Sequence, residues 1–322
     1  DGRFAYVVES RGGGAGEGVA AIDLTAPASA KLIGTTFVGR APQALAVHPQ
    51  GDLLAVATHN PRGQLVILPA SAEGTLGEPA SWPLLGLDDE EATPSSVAWH
   101  PSGKALAVTL AARGEVVFYA FDRAADGGMA VAAWGAPVKL GAGPIAGSFG
   151  PDGRLFIAAT KGGGGGGDGP GGVGGISVVR VSDDVNAPSN AATSHRLLSI
   201  ASVGVAPVGA AVSPDGSLVA VANTRTAIDA GSGGSISLFS MSKDGSLAAR
   251  GEYLLGAVPA GISFDTRGTF VLVSQFRSLD PEASDGEVSF WKVRRGSDGT
   301  TLEQQEFFVG VGSGPHGVLI VR

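Results

Sequence analysis

The sequence predicts an all-β chain, a six-bladed β-propeller that takes up residues 1–322 as one domain. The first observation behind this is a repeated phrase: an apolar strand, a short turn ending in glycine, a second apolar strand, a loop and a third strand. Its copies open at Pro42, Pro94, Pro144, Pro207, Pro259 and Pro315, spaced 52, 50, 63, 52 and 56 residues apart. Periods of about 40–50 residues with four short strands each describe propeller blades. The last observation concerns the ends. The sixth copy stops at Val321-Arg322, and the chain begins with Arg3-Phe4, the text that should follow that strand. One blade shared by both termini is therefore expected, a closure that removes exposed strand edges.

The elements follow in order. Blade 1 takes Arg3 to Val8, then Val19 to Leu24, then an outer strand from Ala30 to Val38. Blade 2 takes Leu53 to Ala57 and Gln64 to Leu68, and the run Asp88-Asp89-Glu90-Glu91 after it reads as a solvated loop. Blade 3 crosses quickly from Leu110-Ala111-Ala112 to Glu115-Val116-Val117-Phe118. In blade 4, Lys161 precedes the glycine run Gly162 to Gly167. No helix follows it, so it lacks the strand–turn–helix context of a phosphate loop. Blade 5 is the most regular copy, with strands Val208 to Val212, Leu218 to Ala222 and Ser235 to Phe239. The hairpin turns read His48-Pro49-Gln50-Gly51, His100-Pro101-Ser102-Gly103, Gly150-Pro151-Asp152-Gly153, Ser213-Pro214-Asp215-Gly216 and Asp265-Thr266-Arg267-Gly268. Proline presets φ in such turns and glycine accepts the positive φ that closes them. His48 and His100 belong to these turns and are read as structural. His195 is expected on the surface.

Composition narrows the function. A net charge of −8 argues against a general nucleic-acid binder. No apolar run reaches the length of a membrane span. The absence of cysteine excludes disulfides and thiolate chemistry, and suits cytoplasm, periplasm or secretion equally. No His/Cys/Glu spacing offers a zinc site, and Glu9 with Asn223 brings too few oxygens for calcium, so neither metal nor cofactor is expected. A monomer is expected.

Where blades meet a central channel, the loop into the inner strand and the loop after the second strand share one face. Three columns of the repeat lie there. After the opening proline come Gln43, Ser95, Ile145, Val208, Ala260 and His316. The second strand ends at Glu9, Thr58, Leu110, Thr160, Asn223 and Gln275, and two positions on stand Arg11, Asn60, Ala112, Gly162, Arg225 and Arg277. Three arginines in one column of an acidic protein predict a cationic crescent for a small anionic molecule, since guanidinium binds carboxylate or phosphate bidentately. His316 is the candidate general acid/base, with Glu9 as a second proton-transfer group. His59, Gln43, Asn223, Gln275 and Lys161 complete the expected binding set beside Arg11, Arg225 and Arg277.

The Pro-Asp-Gly turns, the strand end Val221-Ala222-Asn223 and the segment Gly314-Pro315-His316 resemble the lactonase or YVTN-type β-propellers. That superfamily includes 6-phosphogluconolactonase-like proteins and fungal carboxymuconate cycloisomerases. The resemblance implies lactone ring opening or closure on a small carboxylated substrate, with His316 as acid/base and Arg225 and Arg277 as carboxylate binders. The family is usually seven-bladed, and its Gly-Pro-Arg-His segment lacks the arginine here. A non-enzymatic propeller that binds a partner through its loop face is the alternative.

Overall fold

The computed structural model describes residues 2–9, 17–26, 29–59, 63–84, 92–162, 172–183, 195–226, 233–276, 286–297 and 299–311. Every regular element among them is a β-strand. The first repeat gives β1 (Phe4–Glu9), β2 (Gly18–Asp23) and β3 (Lys31–Thr36), and the second β4 (Pro42–Val47), β5 (Leu53–Thr58), β6 (Gln64–Pro69) and β7 (Ala80–Pro83). The third gives β8 (Pro94–Trp99), β9 (Ala105–Leu110), β10 (Glu115–Arg123), β11 (Met129–Ala133) and β12 (Val138–Lys139). The fourth and fifth give β13 (Pro144–Phe149), β14 (Leu155–Thr160), β15 (Val173–Arg180), β16 (Arg196–Val212), β17 (Leu218–Arg225), β18 (Ser235–Met241) and β19 (Leu247–Leu254). The sixth gives β20 (Pro259–Phe264), β21 (Phe270–Gln275), β22 (Gly286–Gly296) and β23 (Gly299–Val311). Within each sheet the strands pair antiparallel and in chain order, as in a blade, except that β12 returns to pair with β10.

The chain divides into two compact units, one of Asp1–Lys139 with Ser182–His195 and one of Leu140–Val181 with Arg196–Val321. The first carries repeats one to three and the second repeats four to six.

In the second to sixth repeats the second strand is a continuous apolar run rather than an alternation because both of its faces are covered. In β5, Leu53, Ala55 and Ala57 join a cluster with Trp99, Leu106 and Val108 of the third repeat. The intervening Leu54 and Val56 join Val19 and Val38 of the first. In β17, Leu218, Ala220 and Ala222 pack with Phe264 and Val271, while Val219 and Val221 pack with Leu155, Ile157 and Val178. A period of two with both phases apolar is the signature of a sheet buried between two sheets. Each fully buried Leu, Ile or Val side chain contributes about 1.5–3 kcal/mol.

All five expected turns form the same way. The N–H of the glycine donates to the carbonyl of the first turn residue (Gly51 to His48, Gly103 to His100, Gly153 to Gly150, Gly216 to Ser213, Gly268 to Asp265) at 2.8–3.0 Å. Each of these glycines has φ between 65° and 78°. His48 and His100 are structural, as expected: the His48 ring lies edge-on to Trp99 at 4.7 Å and its Nε2–H donates to the Gly103 carbonyl at 3.2 Å.

Two local expectations are corrected. His195 is buried at 9% exposure rather than on the surface. Its ring stacks on Phe118 at 4.2 Å, its Nε2–H donates to the Trp134 carbonyl at 2.5 Å and its Nδ1 accepts the Ser182 N–H at 3.2 Å. The fourth and fifth repeats are also not separated by a loop. β16 runs 17 residues, pairing with β15 through Arg196 to Val205 and with β17 from Val205 onward. Ala206, at φ 50°, turns it from outer strand to inner strand. The closing strand His316 to Val321, the acidic run Asp88 to Glu91 and glycines 163–167 lie outside the described residues.

Candidate functional site

The aligned columns are true structural equivalents. Each opening proline pairs with the end of the second strand: Pro42 with Thr58, Pro94 with Leu110, Pro144 with Thr160, Pro207 with Asn223 and Pro259 with Gln275. After every one of these prolines the ladder skips a residue. Gln43, Ser95, Ile145, Val208 and Ala260 are therefore the extra residues of five equivalent β-bulges. Proline has no N–H to donate and is confined to such places, and a bulge re-aims the unpaired side chain. The residue before the proline is forced too, since Ala41 (φ 48°), Gly143 (φ 58°) and Ala206 (φ 50°) are left-handed. For the two alanines this costs about 1–2 kcal/mol each.

In the first unit the strained Ala41 is the hub of a polar cluster. Its N–H donates to Glu17 Oε2 at 3.2 Å. Its carbonyl accepts the His59 N–H at 3.0 Å and Gln43 Nε2 at 3.2 Å. The His59 ring is held as well, with Nδ1 at 2.9 Å from the Ala92 carbonyl. A carbonyl only accepts, so Nδ1 carries the proton and Nε2 keeps its lone pair. Such a ring is oriented and fixed in the tautomer that can take up a proton. Gln43 is exposed, while His59 and Glu9 are partly buried, and Glu9 makes no side-chain hydrogen bond or ion pair among the described residues. Glu17, at 5% exposure, went unread in the sequence because it follows the loop before β2.

In the second unit, Lys161 and Arg225 are exposed cations at strand ends, with no ion pair among the described residues. Asn223 and Gln275, expected as ligand contacts, are fully buried inside their blades. Asn223 Nδ2 donates to Ser235 Oγ at 3.2 Å and Ser237 Oγ at 3.0 Å, and Gln275 Nε2 donates to Glu287 Oε1 at 3.1 Å and Ser289 Oγ at 3.0 Å. The reason is position, since both extend a strand covered on both faces. Their carbonyl oxygens, Asn223 Oδ1 and Gln275 Oε1, are buried without a partner among the described residues. His316, Arg11 and Arg277 lie outside the described residues.

The sequence reading also missed a polar column at the head of the third strand, where Gln64, Glu115, Ser235 and Glu287 face Thr58, Leu110, Asn223 and Gln275. Glu115 pairs with Arg113 at 2.5 Å and Lys139 at 2.8 Å. Burial raises its pKa, but hydrogen bonds from Lys139 and Arg113 outweigh that and leave it lowered. The available signal was a charged residue opening an otherwise apolar strand. Among the described residues, no three His, Asp or Glu side chains are grouped as for a metal ion.

Repeated antiparallel sheets, bulged at proline and polar at one set of strand ends, fit the β-propeller class, and the comparisons agree with that fold. Residues 1–160 match the family described as lactonase, 7-bladed beta-propeller. The chain is similar in structure to a candidate 6-phosphogluconolactonase of Bacteroides fragilis, with 18% identity, a TM-score of 0.73, and coverage of 97% of this chain and 83% of that one. It is likewise similar to the periplasmic gluconolactonase of Pseudomonas aeruginosa, with 19% identity, a TM-score of 0.67, and coverage of 96% and 82%. A functionally unknown protein of Desulfotomaculum acetoxidans gives 14% identity, a TM-score of 0.66, and coverage of 97% and 86%. At these identities the likeness is one of fold. No curated protein matches the sequence. The resemblance to lactonase-type β-propellers is borne out.

Proposed function

We infer that this protein opens or closes a lactone ring on a small carboxylated substrate. The observation that carries the reading is His59, whose ring is pinned through Nδ1–H to the Ala92 carbonyl beside the strained Ala41 hub. In hydrolysis, a water oxygen attacks the lactone carbonyl carbon as its proton passes to His59 Nε2. The ring C–O bond then breaks, and the departing alkoxide takes that proton back from His59 Nε2 to become the hydroxyl of the hydroxy acid, which restores the neutral ring. Positioned proton transfer of this kind contributes about 10²–10⁴-fold. Gln43, next to His59 on the same carbonyl, is the group to orient a substrate oxygen.

The remaining assignments rest on the repeat alignment. His316 and Glu9 are further acid/base groups, and Arg11, Arg225, Arg277 and Lys161 bind the carboxylate. Six blades is the count that the repeat spacing supports, against seven in the family's description. The test is a panel of five- and six-membered lactones with and without a carboxylate or phosphate. Turnover is expected for the acidic members. Failure to turn over any of them, in either direction of the reaction, overturns the reading in favour of a propeller that only binds.

A further inference from the structure

In four repeats the carbonyl of the residue ahead of the opening proline accepts the N–H of the residue just past the second strand. The pairs are His59 to Ala41 at 3.0 Å, Ala111 to Thr93 at 2.7 Å, Lys161 to Gly143 at 3.1 Å and Phe276 to Val258 at 2.9 Å. The backbone of His59 is therefore anchored by the Ala41 peptide, and only its ring by Ala92.

Ala41 differs from its counterparts. Gly143 enters the left-handed region (φ 58°) freely, whereas Ala41 (φ 48°) does so against its own Cβ. A strained residue of this kind persists only where its surroundings over-determine it. The N–H of Ala41 donates to Glu17 Oε2 at 3.2 Å, across 24 residues of chain. Glu17 is 5% exposed, and a carboxylate taken out of water needs such donors. A hydrogen bond to an ionised group is also roughly twice as strong as a neutral one. Gly18 brings the carboxylate there: a Cβ on it would lie 2.5 Å from the Thr36 carbonyl, so β2 opens close against the end of β3, the strand that leads to Ala41.

We propose that Glu17 is a positioning residue for His59. Its carboxylate holds Ala41 left-handed, which fixes the carbonyl that takes both the His59 N–H and Gln43 Nε2–H. Without that carboxylate, the Ala41 peptide turns toward the extended region that a residue before proline prefers. His59 then loses its backbone anchor, and Nδ1–H on Ala92 is no longer the one state of its ring. The effect on turnover rests on the lactone reading, while the effect on the ring does not.

Nitrogen-15 NMR of histidine-labelled protein reads the ring directly. The parent should show His59 as the Nδ1–H tautomer alone, and Glu17→Ala a mixture of both tautomers. Glu17→Gln, whose carboxamide oxygen can accept the same N–H, should match the parent. On an acidic lactone, kcat should fall about 10–10²-fold in Glu17→Ala, the scale of a misplaced catalytic group, and recover in Glu17→Gln. If Glu17→Ala does not fold, the Ala41 amide of the parent decides. Ala41 lies outside every strand, so its amide should exchange slowly with solvent deuterium only because Glu17 holds it. Rapid exchange there, a parent-like ring and rate in Glu17→Ala, or a Glu17→Gln protein that behaves as Glu17→Ala overturns the proposal. The expected ring and amide behaviour in a protein that turns over no lactone supports the role of Glu17 and overturns the lactone reading alone.

Discussion

The Nδ1–H of His59 donates to the carbonyl of Ala92, 33 residues further along the chain, at 2.9 Å. This single bond separates two roles of one residue, and so allows them to be tested apart. An asparagine at 59 can keep the donor to Ala92 but offers no base. His59→Asn should retain the melting temperature while turnover of an acidic lactone falls about 10²–10⁴-fold. Unchanged turnover in a folded His59→Asn protein removes His59 from the chemistry.

Arg225 should behave differently. A carboxylate anchor holds substrate equally before and during reaction, so its loss raises KM with little change in kcat. Steady-state kinetics of Arg225→Ala and Lys161→Ala check this, and a fall in kcat alone would contradict it.

The buried His195 makes the first unit sensitive to acid. Burial lowers its pKa, and the hydrogen bond to Trp134 only partly offsets that. The unfolded state then binds protons that the folded state refuses, so stability is full above about pH 6.5 and falls as pH drops below it. Melting temperatures measured from pH 8 to pH 5 should decline over the lower half of that range. In His195→Phe the decline should be shallower, and an identical profile would show that His195 does not set it.

Asp215 adds a second acid-sensitive point, at lower pH. Burial raises its pKa, but the hydroxyl of Ser213, the N–H and hydroxyl of Ser217 and the charge of Arg295 together hold it far below the usual carboxylate range. A depressed carboxylate stabilises the fold above its unfolded pKa near 3.9 and loses that contribution as pH falls further. The side chain is half exposed, so solvent screening limits Asp215→Asn to about 1 kcal/mol at neutral pH. The difference in urea midpoint between the variant and its parent should be smaller at pH 3 than at pH 7.

Two turn glycines separate backbone strain from packing. Gly51 (φ 78°) and Gly103 (φ 72°) have the same conformation, but a Cβ at 51 meets nothing within 4 Å while one at 103 overlaps His48 Nε2. Alanine at either should cost about 1 kcal/mol of backbone strain. Gly103→Ala should cost clearly more, because His48 must leave its place on Trp99. Equal urea midpoints for the two variants would refute the packing part.

The residues that were legible in the sequence are those whose structure is set by near neighbours. Pro49, Gly51, Pro214 and Gly216 fix their turns through their own allowed φ, and Leu53 to Thr58 announces a twice-covered strand by having no polar phase. That much gave the repeat, the strands and the columns. Asn223 and Gln275 were correctly aligned yet assigned to a ligand, because an alignment orders positions without saying which side of a strand end is covered.

Only tertiary contact decides that. Ser235, Ser237, Glu287 and Ser289 reach the two amides from 12 to 14 residues away. His195 is buried by Phe118 and Trp134, which are more than 60 residues distant in the chain. The bulge between β22 and β23 is likewise a matter of pairing, with Gln305, Glu306 and Phe307 set against Phe290 alone across the ladder. Local φ preferences and hydrophobic period are properties of the chain itself. Burial, hydrogen-bond satisfaction and register are properties of pairs of segments, and these the sequence does not carry in any one place.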